Sequence, residues 1–224
     1  MDRGAPLVHA RGVQLRTADG ARPLLRSLDW RVEAGAAVAV TGPSGCGKST
    51  LLQAIAGLHP IAAGELRVCG RALHTAGAGE RARLRATAVG LVLQNLNLLP
   101  ALTALENIAL GGIYSDVPRD ELRRRAGVLL EAVGLGGRGG ARPAALSLGE
   151  QQRIAIARAL VHGPALVLAD EPTASLDRAA GAQLVSLIME LCGQRAAALL
   201  LVTHDPAIAA LLPAGLHLPD WAVA

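Results

Sequence analysis

Eight residues constrain this chain more than any others: Gly42-Pro43-Ser44-Gly45-Cys46-Gly47-Lys48-Ser49. They match the spacing G-x-x-x-x-G-K-[ST] and stand between an apolar run at 36–41, read as a buried strand, and a helical stretch at 49–58. Glycines let backbone N–H groups close around an anion where side chains would block them. The start of the helix adds positive potential at the same point. Lys48 is the only lysine of the 224 residues; every other strong base is arginine. The position therefore demands a compact ammonium, since arginine's planar fork suits a tightly wrapped phosphate chain poorly. Gly42 to Ser49, with Thr50, form the candidate phosphate-binding set. Lys48 is expected to reach the β- and γ-phosphates and Ser49 to ligate Mg²⁺. Cys46 reads as a small filler of the loop.

A second site follows downstream. Leu166-Val167-Leu168-Ala169 is an apolar strand that runs into Asp170 and Glu171. Strand ends are where an α/β sheet presents its chemistry. If both carboxylates stay on the strand they point to opposite sides. Asp170 is then expected to face the hydration shell of Mg²⁺, and Glu171 to act as general base on the attacking water.

Around these two anchors the pattern is α/β. The first part reads as β-rich, with strands at 7–15 and 24–32 about a turn at Ala18-Asp19-Gly20, and further strands at 65–69 and 89–94. From about 98 to 160 the periodicity is helical, with helices at 103–110, at 118–133 (proline in its first turn) and from Ser147 to 161, the last carrying Glu150 in a capping box. The segment 134–143 is rich in Gly and Arg and reads as a loop. A strand at 165–169, a helix at 178–191 and a strand at 197–202 complete a parallel core. The expected fold is thus a P-loop NTPase core with a parallel sheet, an N-terminal antiparallel β subdomain and an inserted helical subdomain at about 98–160, all within one ATPase domain spanning 1–224.

Composition narrows the class. Cys46, Cys69 and Cys192 are odd in number and widely spaced, which excludes a disulfide framework or a cysteine metal site and fits a reducing compartment. Residues 1–12 lack the apolar segment of a signal peptide, and no apolar run approaches the roughly 18 residues of a spanning helix. The formal charge of +4 is spread along the chain; the run Arg123-Arg124-Arg125 reads as a solvated helix face, and no nucleic-acid partner is expected. Aromatics are nearly absent: Trp30, Tyr114, Trp221 and no Phe, so the core rests on Leu, Val, Ile and Ala.

The segment Leu146-Ser147-Leu148-Gly149-Glu150-Gln151-Gln152-Arg153, just upstream of the acidic strand, resembles the signature of ATP-binding-cassette (ABC) proteins. Gln94 resembles the family's Q-loop, Ser175-Leu176-Asp177 its D-loop and His204 its switch histidine, all in family order and spacing. The runs QNLNLLPALTALEN (94–107) and LVLADEPTASLD (166–177) look like the branch serving lipoprotein release, macrolide efflux and cell-division complexes, with amino-acid importer ATPases close by.

The resemblance implies an ATPase that binds ATP and Mg²⁺, with Glu171, His204, Lys48 and Gln94 in catalysis and Ser49, Gln94 and Asp170 around the metal. It implies a homodimer, or a heterodimer with a related subunit, in which Ser147, Gly149 and Glu150 of one chain complete the other's site. It further implies a separate integral membrane permease, engaged from the cytoplasmic face of the cell membrane through 98–105, and a tilt toward export or extraction. Two other readings stay open: a soluble, non-transport ABC ATPase, and a regulatory module that holds ATP with weak turnover. Three departures from the pattern stand out. Leu148 replaces the first signature glycine. No aromatic lies ahead of the phosphate loop near Arg16 and Thr17 to stack adenine, which leaves Arg16 as the stacking group. The tail, 211–224, lacks the charged turn that closes the family's last hairpin. Slower turnover, with activity retained, is the expected result.

Overall fold

The computed structural model of the chain describes residues 5–221. It opens with β1 (Val8–Arg16), β2 (Pro23–Val32), β3 (Ala37–Thr41) and α1 (Lys48–Ile55), followed by β4 (Ala63–Val68), β5 (Arg71–Ala72), α2 (Ala78–Ala88) and β6 (Val89–Val92). Three helices come next: α3 (Ala104–Leu110), α4 (Arg119–Ala132) and α5 (Leu148–Leu160). The chain then alternates through β7 (Leu166–Asp170), α6 (Arg178–Gly193), β8 (Ala198–Val202), α7 (Pro206–Ala209) and β9 (Ala214–His217).

Two sheets result. One is antiparallel, in the order β2-β1-β4-β5; the other is parallel, in the order β6-β7-β8-β3-β9. The parallel strands are apolar on both faces, as a sheet covered on both sides requires. Successive side chains alternate between two cores. Ala39, Val167, Ala169, Leu199 and Leu201 pack toward α3, α4, α5 and α6, while Val38, Val40, Leu166, Leu168, Leu200 and Val202 pack toward α1 and the antiparallel sheet. The expected architecture of parallel core, antiparallel sheet and helical segment is the one observed.

The signature helix α5 is held to the core by two glycines. A methyl group on Gly90 of β6 would run into the Ala159 carbonyl, and one on Gly111 into the Arg158 carbonyl. Backbone thus packs on backbone along the C-terminal half of α5.

Several boundaries differ from the pattern reading. The helix read at 49–58 ends at Ile55, because Gly57 takes φ +67° and closes the helix from the left-handed region. Pro118 is the N-cap of α4, one place before the first turn. The loop at 134–143 contains a single 3-10 turn, Gly136–Arg138, and a second begins at Pro143. After β9 the chain makes one more 3-10 turn, Leu218–Asp220, where the resemblance expected a hairpin turn. Residues 1–4 of the segment read for a leader, and residues 222–224 of the tail, lie outside the described residues.

Candidate nucleotide site

The site sits at the C-terminal ends of β3, β7 and β8, where a parallel sheet opens toward ligand. From β3 the backbone turns through Gly42 (φ +145°) and Gly47 (φ +100°) into α1. Both values lie where a side chain is strained, and a Cβ on Gly42 would meet Cys46 Sγ and Pro219 Cδ at 2.8 Å. Cys46 therefore packs behind the loop, against its first residue, and does not line the cleft.

Lys48 is buried at 7 % exposure, and its Nζ donates to the carbonyls of Gly42 (2.8 Å) and Pro43 (2.9 Å). An ammonium with three donors is stabilised in this way without a carboxylate partner. Ser49 Oγ donates to Asp170 Oδ1 at 3.0 Å. Burial holds the Asp170 carboxyl above its ordinary range; the Ser49 hydroxyl and Lys48 act against that shift, and the Glu171 carboxylate adds to it.

Glu171 corrects the strand-alternation picture. β7 ends at Asp170, and Glu171 takes φ +47°, in the left-handed region. Its N–H still donates to the Val202 carbonyl (3.1 Å). The two carboxylates separate because the backbone turns sharply between them. Turned this way, Glu171 Oε1 lies 2.9 Å from His204 Nδ1 on the loop after β8.

These groups share a cleft of about 490 Å³. Its phosphate end is lined by Ser44, Gly45, Gly47, Lys48, Ser49 and Thr50, with Gln94, Glu171 and His204 beside them. Its far end is formed by the β1–β2 turn and its flank: Thr17, Ala18, Arg22 and Leu24. Arg16 is not among the lining residues, since its guanidinium donates to the Gly20 carbonyl at 3.0 Å. The stacking role expected of Arg16 is thereby withdrawn: the side chain at the cleft is Arg22, which no periodicity or motif in the turn marked out.

Ser147, Gly149 and Glu150 stand apart from this cleft. They begin α5 in a complete capping box: Ser147 Oγ accepts from the Glu150 N–H (3.3 Å), and Glu150 Oε2 accepts from the N–H and hydroxyl of Ser147 (2.8 and 3.0 Å). Those bonds, with Arg138 at 3.1 Å, hold the Glu150 carboxyl below its usual range. Glu150 is thus occupied in fixing the helix start. Leu148 at the first helical position is 46 % exposed.

Two residues not singled out from the sequence brace the segment after Gln94. Asn107, fully buried, accepts from the Leu99 N–H and donates to the carbonyls of Leu99, Leu102 and Thr103. Arg158 of α5 donates to the carbonyls of Leu96 and Asn97. A lone Asn or Arg in a helical pattern carries no signal of such a role.

A loop that wraps phosphate, a lysine at its helix start, and an acidic strand end bonded to the loop's serine together define a P-loop nucleoside triphosphatase fold. The family profile described as ABC transporter matches residues 25–174, and the chain belongs to that family. It is 42 % identical over 211 residues to a macrolide export ATP-binding/permease protein, MacB 1/2, of Paracoccus denitrificans, covering 93 % of this chain and 31 % of that one. It is 40 % identical over 221 residues to a pyoverdine export ATP-binding/permease protein, PvdT, of Pseudomonas savastanoi, covering 97 % and 34 %. The chain spans about a third of the length of these curated relatives. Among solved structures it is similar to the dimeric form of MJ0796, a bacterial ABC transporter cassette, at TM-score 0.82 and 32 % identity with 94 % of each chain covered. A post-hydrolysis state of the same cassette bound to ADP and Pi gives TM-score 0.80 at 31 % identity, again with 94 % of each chain covered.

Proposed function

We propose that this chain binds and hydrolyses ATP as the motor of an ABC transporter, paired with a second cassette and working against a membrane-embedded permease. The observation that carries the reading is the separation of the two halves of the site. The cleft offers Lys48, Ser49, Glu171 and His204 on one side of a triphosphate, while the helix start at Ser147, with its N-terminal positive potential, lies exposed elsewhere on the same chain. A head-to-tail pair brings one chain's Ser147 and Gly149 against the γ-phosphate held by the other. ATP then acts as the adhesive between the two, and its cleavage releases them.

In that arrangement the Lys48 ammonium leaves the Gly42 and Pro43 carbonyls for the β- and γ-phosphate oxygens. Glu171 accepts a proton from the attacking water while the His204 Nδ1–H orients its carboxylate. Gln94 contacts the γ-phosphate region and reports its loss through 98–105, which Asn107 and Arg158 brace. Ser49 and Asp170 are hard oxygen donors that suit Mg²⁺, an ion that binds few protein groups and completes its shell with phosphate and water. When bound, the ion neutralises charge on the phosphates. No group of three or more potential His, Cys, Asp or Glu ligands occurs among the described residues, in keeping with a metal held mainly by its nucleotide.

The names of MacB and PvdT support export as the direction. No helix among the described residues is long and apolar enough to cross a membrane, so the permease is placed in a different segment or chain, with this part at the cytoplasmic face. The stretch 1–224 serves as one ATPase domain with its helical insertion at about 98–160. The test is ATP turnover by the purified protein and its Glu171→Gln variant, with size measured by light scattering. The expected result is Mg²⁺-dependent turnover lost by about 100-fold or more in the variant, which in turn forms a stable dimer with ATP. Equal turnover in the two proteins, or a monomer at saturating ATP, overturns the reading.

A further inference from the structure

The far end of the cleft has no aromatic residue. The chain contains only Trp30, Tyr114 and Trp221, and none of them lines the cleft. A nucleotide anchored by its phosphates at Lys48 extends toward the β1–β2 turn, so its base meets Thr17, Ala18, Arg22 and Leu24.

The turn is built to hold one of these in place. The Thr17 N–H donates to the Arg22 carbonyl (2.9 Å), and the Arg22 N–H donates to Thr17 Oγ1 (3.0 Å). Asp19 closes the turn by accepting from the Thr17 hydroxyl and from the Ala21 N–H. The nearest carboxylate is thereby occupied. The Arg22 guanidinium is exposed and, among the described residues, donates to no carboxylate or carbonyl, in contrast with Arg16 two turns of sequence away. It is a planar cation on a pinned backbone at the mouth of a nucleotide cleft.

We infer that Arg22 is the nucleobase contact of this site, and that it makes the site tolerant among purines. The inference rests on the proposed nucleotide site and extends it to the class of substrate. A guanidinium plane stacks on any aromatic face and, unlike a tyrosine ring, also offers in-plane donors. The purine N7 acceptor is common to adenine and guanine, and guanine adds O6 beside it. Such a contact gives no means of rejecting GTP. The site therefore takes purine nucleoside triphosphates, GTP about as well as ATP.

The experiment is calorimetric titration of the full chain with ATP, GTP and inorganic tripolyphosphate, for the wild type, Arg22→Ala and Arg22→Tyr, each checked for an unchanged thermal unfolding curve. Expected are ATP and GTP affinities within about threefold of each other in the wild type. Arg22→Ala weakens both roughly tenfold, in the range of a partly exposed cation–aromatic contact, and moves tripolyphosphate by less than about twofold. Arg22→Tyr recovers most of the ATP affinity by restoring a stacking face. Three results overturn the inference: tripolyphosphate losing as much affinity as ATP in Arg22→Ala, which makes the arginine a phosphate contact; purine affinities unchanged in that variant; or more than about tenfold preference for one purine in the wild type. Failure of the wild type to bind tripolyphosphate and both nucleotides is a separate outcome, and it removes the nucleotide site itself along with the inference.

Discussion

At Lys48 the choice of residue is testable against the most conservative alternative. The buried ammonium sits 2.8 and 2.9 Å from two carbonyls of its own loop. Arginine keeps the charge but brings a larger planar head into space closed by backbone. Lys48→Arg is expected to weaken ATP binding by about tenfold or more while leaving the fold intact, as measured by calorimetry alongside circular dichroism. Asp170 makes the opposite kind of prediction. Its folded-state pKa is raised, chiefly by burial, so its contribution to stability is fullest below the unfolded value and is lost as pH rises through the folded one. At neutral pH the ionised side chain is a cost to the nucleotide-free fold. Asp170→Asn keeps an acceptor for Ser49 Oγ and removes that cost. The variant is expected to unfold at a higher temperature than the wild type without ligand, yet to lose the extra stabilisation given by Mg²⁺ and ATP together. A lower melting temperature for the ligand-free variant contradicts this account. The loop, Asp170 and Glu171 were legible from the sequence because each motif states its own chemistry. Arg22 was not, because its role comes from a turn that aims it, and turns leave little periodic trace.

The start of α5 is where an element carries both stability and the proposed pairing surface. Glu150 is held below its usual pKa, first by the Ser147 N–H, then by the Ser147 hydroxyl, with Arg138 assisting. A depressed carboxylate stabilises the fold above its unfolded pKa, and that support drains away as pH falls through the folded value. Glu150→Gln, which keeps a hydrogen-bond acceptor but no charge, is expected to flatten the acid side of a plot of urea midpoint against pH; an unchanged acid limb argues against the capping box as its source. Leu148 at the next position is exposed and branched. Leu148→Gly is expected to raise ATP turnover by the dimer while costing about 1 kcal/mol or less of helix stability, read from steady-state hydrolysis and thermal melts. Turnover unaffected by the change removes Leu148 as a brake. Elements with clear periodicity or caps, such as α3 with Thr103 and α6 with Asp177, were readable in advance. Helix α2 was not: of its residues only Leu84 is buried, so no apolar stripe marks it. Strand β9 escaped for a related reason, since its four residues, three of them exposed, earn their place only by pairing with β3.

Across the whole molecule, the contact of α5 with its neighbours is unusually intolerant of volume. Gly111→Ala places a methyl group on the Arg158 carbonyl and is expected to destabilise the fold by about 2 kcal/mol or more, lowering the melting temperature by roughly 4–8 °C. A neutral result indicates that the helix shifts freely, and that the close packing is incidental. The two-sheet architecture was readable because strands buried on both faces are continuously apolar, as at 166–169 and 198–202. The glycine contacts were not, because nothing in a lone Gly says which backbone it approaches.

From Ser147 to Glu171 the chain is one continuous span, a helix of thirteen residues and then a strand. At 1.5 Å per residue the helix alone is about 20 Å long. One end of the span is offered to a partner's triphosphate and the other holds the carboxylate that attacks the chain's own. With its rear half seated backbone to backbone, this beam has little room to flex, so a shift at either end is felt at the other. Two such beams in a head-to-tail pair form a closed mechanical circuit, in which neither nucleotide can be spent without the opposite one registering it.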